Sequence, residues 1–185
     1  MHITIISSSV RIGRNSHRVA LYFKNYIEEN KIATVEILDL LAYQFPVFEE
    51  RLKFQKNPKP NAIEFANKIK LADGVIIVTP EYNGEYPASL KNVIDLLNEE
   101  WNKKPIAIST VSSGVFGGSQ VIIALQFVLW KLKAMVVSAM FPVPKVQDSF
   151  DEQGKAIDKE ATDKRAAIFL KELNWFITAK SKMVE

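Results

Sequence analysis

Five short runs rich in aliphatic and β-branched residues, at 2–6, 34–38, 74–78, 106–111 and 135–139, recur along this chain without strict polar alternation. A strand with one face in water alternates, whereas a strand covered on both faces does not have to. Strands of the second kind belong to parallel sheets held between layers of helices. The intervals between the runs have helical period. Segment 16–30 places Val19, Ala20, Phe23 and Ile27 on one stripe, and segment 61–72 follows Pro58 and Pro60 and stops at Asp73-Gly74. From near Pro87 onward, Leu90, Val93, Ile94, Leu97 and Trp101 recur at helical spacing. Segments 118–133 and 159–180 complete the set, the last with Ala166, Phe169, Leu170, Leu173 and Phe176 on one face.

Strands and helices alternating in this way, joined by right-handed crossovers, predict an α/β three-layer sandwich. Its centre is a five-stranded parallel sheet of order 2-1-3-4-5, the flavodoxin-like arrangement. At 185 residues, with no repeat or low-complexity tract, the chain is expected to form one domain over 1–185. It contains no cysteine, which excludes disulfides, thiolate zinc sites, cysteine-held iron–sulfur clusters and a cysteine nucleophile. No metal site is expected. The chain enters its first apolar run without a basic leader, and the longest apolar stretch, 121–130, is too short to span a bilayer. A cytoplasmic protein without membrane contact is the expectation. The formal net charge is +3, but the lysines are scattered rather than gathered into a stripe, so no nucleic-acid partner is expected.

In a sheet of this order, ligands sit beyond the carboxyl ends of strands one, three and four. The loops there are 7–15, 79–86 and 112–117. The first is rich in serine and arginine and runs straight into a helix. A helix start offers unpaired N–H groups and the positive end of a dipole. Ser9 and Ser16 add hydroxyls, Arg11 can fork onto phosphate oxygens, and Gly13 allows a tight backbone. A capped helix with stray arginines fits the same residues equally well. It is neither a P-loop nor a dinucleotide fingerprint. The second loop, Thr79-Pro80-Glu81-Tyr82-Asn83-Gly84-Glu85-Tyr86-Pro87, is stiffened by two prolines and carries the Asn83-Gly84 turn pair. Such a loop can aim amides at a flat heteroaromatic ring while Tyr82 or Tyr86 packs on it, or it can simply connect strand to helix. The third, Ser112-Ser113-Gly114-Val115-Phe116-Gly117-Gly118, is by itself no more than a flexible turn. Converging at one sheet edge, one loop suits a phosphate and two suit a planar ring, which together fit a mononucleotide.

Two stretches of the chain resemble the NADPH-dependent FMN reductase family, which includes quinone, chromate and azo-dye reductases. They are Ser9-Val10-Arg11-Ile12-Gly13-Arg14-Asn15 and, more specifically, Thr79-Pro80-Glu81-Tyr82-Asn83-Gly84 continuing to Pro87-Ala88-Ser89-Leu90-Lys91-Asn92-Val93-Ile94-Asp95. Ser8 stands where the family usually has the glycine of a Gly-Ser pair. The resemblance implies FMN as cofactor, NADPH or NADH as electron donor, and a flavin, quinone or similar small molecule as acceptor in a ping-pong cycle. It implies that Ser9, Arg11 and Ser16, with Arg14 and Asn15, hold the phosphate. Pro80, Glu81, Tyr82, Asn83 and Gly84 would line the ribityl chain and isoalloxazine, with Ser113 and Gly114 at the pyrimidine edge. It requires no catalytic acid or base from the protein, and none is expected. A non-enzymatic flavodoxin-type electron carrier is the rival reading, disfavoured by the arginines of the phosphate loop and the basic net charge.

Segment 118–133 adds one expectation. Val121, Ile122, Ile123, Leu125, Phe127, Val128, Leu129 and Trp130 surround nearly its whole circumference, and one sheet face covers only a stripe of a helix. A homodimer, or a tetramer built from it, through the third and fourth predicted helices is therefore expected. The alternative cover is the chain's own segment 43–48.

Overall fold

A computed structural model describes residues 1–183 of the chain. Five parallel strands, β1 (His2–Ser7), β2 (Thr34–Asp39), β3 (Gly74–Pro80), β4 (Pro105–Val111) and β5 (Met135–Met140), lie in the order β2-β1-β3-β4-β5. The flavodoxin-like order expected from the sequence is the one observed. Register pairs Ser7 with Asp39 on one side and with Val78 on the other, so β1 and β2 end level and β3 runs two residues past them to Pro80. Side-chain alternation along the strands splits the core in two. Ile3, Ile5, Ile76 and Val78 face α1 (Ser16–Glu29) and the last helix, Lys159–Lys182, meeting Phe23, Phe169 and Leu173. Ile6, Val75, Ile77, Ile106 and Ile108 face the opposite layer and meet Phe65, Leu90, Trp101 and Leu125. Every residue of β3 and β4 is buried, which is why neither run alternates.

Between β2 and β3 lie a short helix α2 (Leu40–Tyr43), a 3₁₀ turn (Leu52–Phe54) and α3 (Pro60–Leu71). Two hydrogen bonds from Asn92 pin the strap between them: its amide nitrogen donates to the Pro46 carbonyl, and its amide oxygen accepts from the Phe48 N–H. The helix expected from near Pro87 is α4 (Ala88–Leu96), and it ends sooner than the apolar spacing suggests. Leu97 is extended, and Trp101 sits in a separate 3₁₀ turn, Glu99–Trp101, its indole N–H donating to the Ile94 carbonyl. Burial repeats at helical spacing there although the backbone is no longer helical. The fourth expected helix is α5 (Gln120–Lys131), which starts two residues later than the expected 118 because Gly117 and Gly118 both take positive φ. A Cβ on Gly118 would lie 3.2 Å from the Val111 backbone, so the turn closes only around glycine. Past β5 come α6 (Val146–Ser149) and α7, the Lys159–Lys182 helix. No helix among the described residues is long and apolar enough to cross a membrane.

Candidate active site

The C-terminal ends of β1, β3 and β4 deliver the three loops to one hollow, where the sheet order reverses between β1 and β3. Its walls contain Ser9, Arg11, Arg14, Asn15 and Ser16 from the first loop, Pro80, Glu81 and Tyr82 from the second, and Ser113 from the third. Nine of the twelve expected cofactor residues thus meet in one place. Asn83, Gly84 and Gly114 do not line the hollow, and the backbone explains what they do instead. Tyr82 and Glu85 exchange both backbone hydrogen bonds, at 2.8 and 3.1 Å, and Asn83 and Gly84 both have positive φ. This is a two-residue hairpin turn of the type that selects Asn-Gly, and it turns the Tyr82 side chain back across the site. Gly114 accepts from the Lys145 N–H through its carbonyl.

Tight cross-links hold the loops. The Ser89 hydroxyl at the start of α4 donates to the Ser8 carbonyl at 2.6 Å. The Ser9 and Tyr82 hydroxyls lie 2.6 Å apart, and the Arg11 N–H donates to Ser9 Oγ at 3.3 Å. The Glu81 N–H donates to the Val111 carbonyl, joining the second loop to the end of β4. Sequence reasoning overlooked the segment after β5. Ser112 N–H donates to Val143 and Val146 N–H donates to Ser112, so this segment clasps the third loop, and Val146 and Ser112 reach the hollow. Those contacts are made through backbone, and no side-chain pattern announces them.

The hydroxyl of Ser16 decides what the hollow suits. The residue is 3% exposed, and its Oγ has no hydrogen-bond partner. No side chain caps α1, although Asn15 and Ser16 both could. A buried hydroxyl without a partner costs roughly 1–3 kcal/mol, and the open amides of a helix start call for an acceptor as well. The Arg11 guanidinium stands exposed at the mouth of the same hollow. A serine hydroxyl, uncapped helix amides and an arginine are all donors, and an anion with several acceptor oxygens satisfies them together. The residues present therefore fit a phosphate monoester, and the stiff Pro80–Tyr82 backbone beside it fits a flat ring.

The second arginine of the loop is placed differently. Arg14 forks onto both carboxylate oxygens of Asp39 at the end of β2 and also donates to the Ser9 carbonyl at 2.7 Å. Burial alone would raise the Asp39 pKa, but the Arg14 guanidinium and the Leu41 N–H outweigh it and hold the carboxyl below its ordinary value. His17 lies 3.0 Å from the Ser7 hydroxyl, and burial together with the nearby Arg14 charge lowers its pKa, so the imidazole is neutral at pH 7. Neither histidine lines the hollow, and no metal-ligating cluster occurs among the described residues.

A phosphate-suited helix start beside a ring-suited loop, at the switch point of a 2-1-3-4-5 sheet, defines a flavodoxin-like mononucleotide-binding protein. Residues 1–148 match the model of the NADPH-dependent FMN reductases, and the chain belongs to that family. The NAD(P)H-dependent FMN reductase LOT6 of Saccharomyces cerevisiae is 33% identical over 153 residues, covering 76% of this chain and 79% of the relative. An NAD(P)H-dependent FMN reductase of Schizosaccharomyces pombe is 47% identical over 142 residues, covering 75% of this chain and 70% of its own. The quinone reductase of Escherichia coli is 40% identical over 116 residues, which is 59% of this chain and 62% of the relative. Among solved structures, the NAD(P)H:(acceptor) oxidoreductase FerB of Paracoccus denitrificans superposes with a TM-score of 0.75 at 20% identity. That alignment covers 95% of this chain and 96% of FerB, and it bears on the fold.

Proposed function

We propose that the hollow between the three loops is the FMN site of an NAD(P)H-dependent oxidoreductase that reduces a flavin, quinone or similar small molecule. Family membership supports the enzyme over the electron carrier. The observation that carries the site is the unpartnered, buried Ser16 hydroxyl at an uncapped helix start. Ser9, Arg11, Asn15, Ser16 and the first amides of α1 hold the phosphate. Pro80, Glu81 and Tyr82 support the ribityl chain and ring, the Asn83-Gly84 turn sets their direction, and Ser113 faces the pyrimidine edge. The redox chemistry, hydride uptake from NAD(P)H and electron delivery to the acceptor, is that of bound FMN. The protein binds and orients, and no side chain has to move a proton. A single domain over 1–185 and a cytoplasmic location are part of the same reading.

Titration of the purified chain with FMN tests the site. A saturable perturbation of the flavin absorption band is expected, with NAD(P)H oxidation that depends on FMN and on an added quinone. An unperturbed band at saturating protein defeats the assignment.

A homodimer completes this reading. On α5, Val121, Ile122, Leu125 and Leu129 are buried, while Ile123, Phe127 and Trp130 are 76%, 61% and 66% exposed. The Phe127 and Trp130 rings pack on each other 5.9 Å apart, and Val115 and Phe116, in the loop leading into α5, are exposed as well. Segment 43–48 does not cover it, because Tyr43 and Phe45 pack edge-on against Phe65 of α3. The outward side of α4 carries the Lys91–Asp95 ion pair, so the apolar contribution comes from α5. An exposed aromatic patch of this kind marks a contact surface. Light scattering behind a sizing column is expected to report a dimer or tetramer for the wild type and a monomer for Phe127→Glu. A monomeric wild type removes the proposal.

A further inference from the structure

The two arginines of the phosphate loop stand three positions apart and have opposite surroundings. Arg11 is exposed at the mouth of the hollow, whereas the Arg14 side chain is 12% exposed and fully engaged. Its fork closes on Asp39, whose side chain is 23% exposed, and one of its nitrogens also holds the Ser9 carbonyl. A bidentate pair of this kind fixes orientation as well as distance. Asp39 does a second job, since the same carboxylate accepts the Leu41 N–H and caps α2. One side chain at the end of β2 therefore ties α2 and the middle of the phosphate loop to the sheet.

We propose that Asp39 is a positioning residue for the FMN phosphate, acting through Arg14 on the Ser9 backbone. The inference rests on the functional reading above. With the Ser9 carbonyl held by Arg14 and the Ser8 carbonyl held by Ser89, the loop backbone is fixed from both sides of the β1 end. That holds Ser9 and Ser16, which line the same hollow, and the start of α1 in place before any ligand arrives. Preorganisation of this sort appears as affinity, because the ligand does not have to order the loop. Charge alone predicts the opposite sign. Asp39 is an anion near a site for a dianion, so if it acted only through its field, neutralising it would tighten FMN.

The test compares two ligands that share a ring and differ by the phosphate. Flavin-stripped full-length wild type, Asp39→Asn, Asp39→Glu and Arg14→Lys are titrated with FMN and with riboflavin by fluorescence quenching, with a thermal melt of each. Asp39→Asn and Arg14→Lys are expected to weaken FMN at least fivefold and to change riboflavin less than twofold, and Asp39→Glu to recover most of the loss. FMN affinity that is unchanged or tighter in Asp39→Asn overturns the proposal. So does an equal loss for both flavins, which would mark a general loss of structure. A wild type that binds neither flavin overturns the functional reading and this inference with it.

Discussion

Arg11→Ala is expected to raise the FMN dissociation constant by roughly 10- to 100-fold, the largest binding effect of any single change in the loop. The estimate follows from hydrogen bonds to charged groups, worth about 1.5–3 kcal/mol each, and from about 1.4 kcal/mol per factor of ten. Arg11 supports nothing else: it is exposed, and its contribution to the loop is a backbone N–H that alanine retains. Stability should stay within about 0.5 kcal/mol of wild type, as for most surface changes. The loss should shrink as salt is raised, because an exposed cation is screened within about 10 Å at 0.1 M. Isothermal titration at two ionic strengths checks both points, and an unchanged dissociation constant at low salt would remove Arg11 from the phosphate site.

Trp101→Ala carries the largest expected effect on stability, about 3–5 kcal/mol. The indole is fully buried among the residues covering β3 and β4, and its N–H satisfies the Ile94 carbonyl in the last turn of α4. Truncation removes the apolar contacts and leaves that carbonyl without its donor. For a chain of this length the loss corresponds to a fall in Tm of roughly 6–20 °C. Urea unfolding should show the midpoint shift at nearly constant slope, and Trp101→Phe should recover the packing part but not the hydrogen bond. A Trp101→Ala midpoint within error of wild type would mean that the 3₁₀ turn at 99–101 is not part of the folded core.

The central strands were legible because burial on both faces leaves a signal in composition, and β3 and β4 are buried at every position, unlike the edge strands β2 and β5. Strand ends were less so. β1 runs on to Ser7 and β3 to Pro80, polar or turn-forming residues that extend the sheet only because Asp39, Val78 and Val111 stand opposite them. Short elements such as α2 and α6 contain about one turn each, too few residues for any period to show. At the site, motif and loop position were enough to gather nine residues around one hollow. They could not distinguish Arg11 from Arg14. That distinction depends on Asp39, which comes 25 positions later and becomes a neighbour only through the pairing of β1 with β2. The clasp by 143–146 was invisible for a related reason, since backbone bonds carry no residue signature.

The short contact between Ser9 and Tyr82 has a consequence for where hydrogens point. A serine oxygen has two lone pairs and one hydrogen. Here the Arg11 N–H takes one lone pair, and the tyrosine oxygen stands 2.6 Å away. When an anion in the hollow takes the serine's hydrogen, the bridge survives only if Tyr82 turns its own hydrogen toward Ser9. The phenol oxygen then shows lone pairs, and no hydrogen, to whatever lies on its other side. Filling one end of the hollow thereby fixes the Tyr82 hydroxyl as the donor of this bridge, whichever of the two oxygens donates beforehand, and does so by rotation of O–H bonds without displacing a heavy atom.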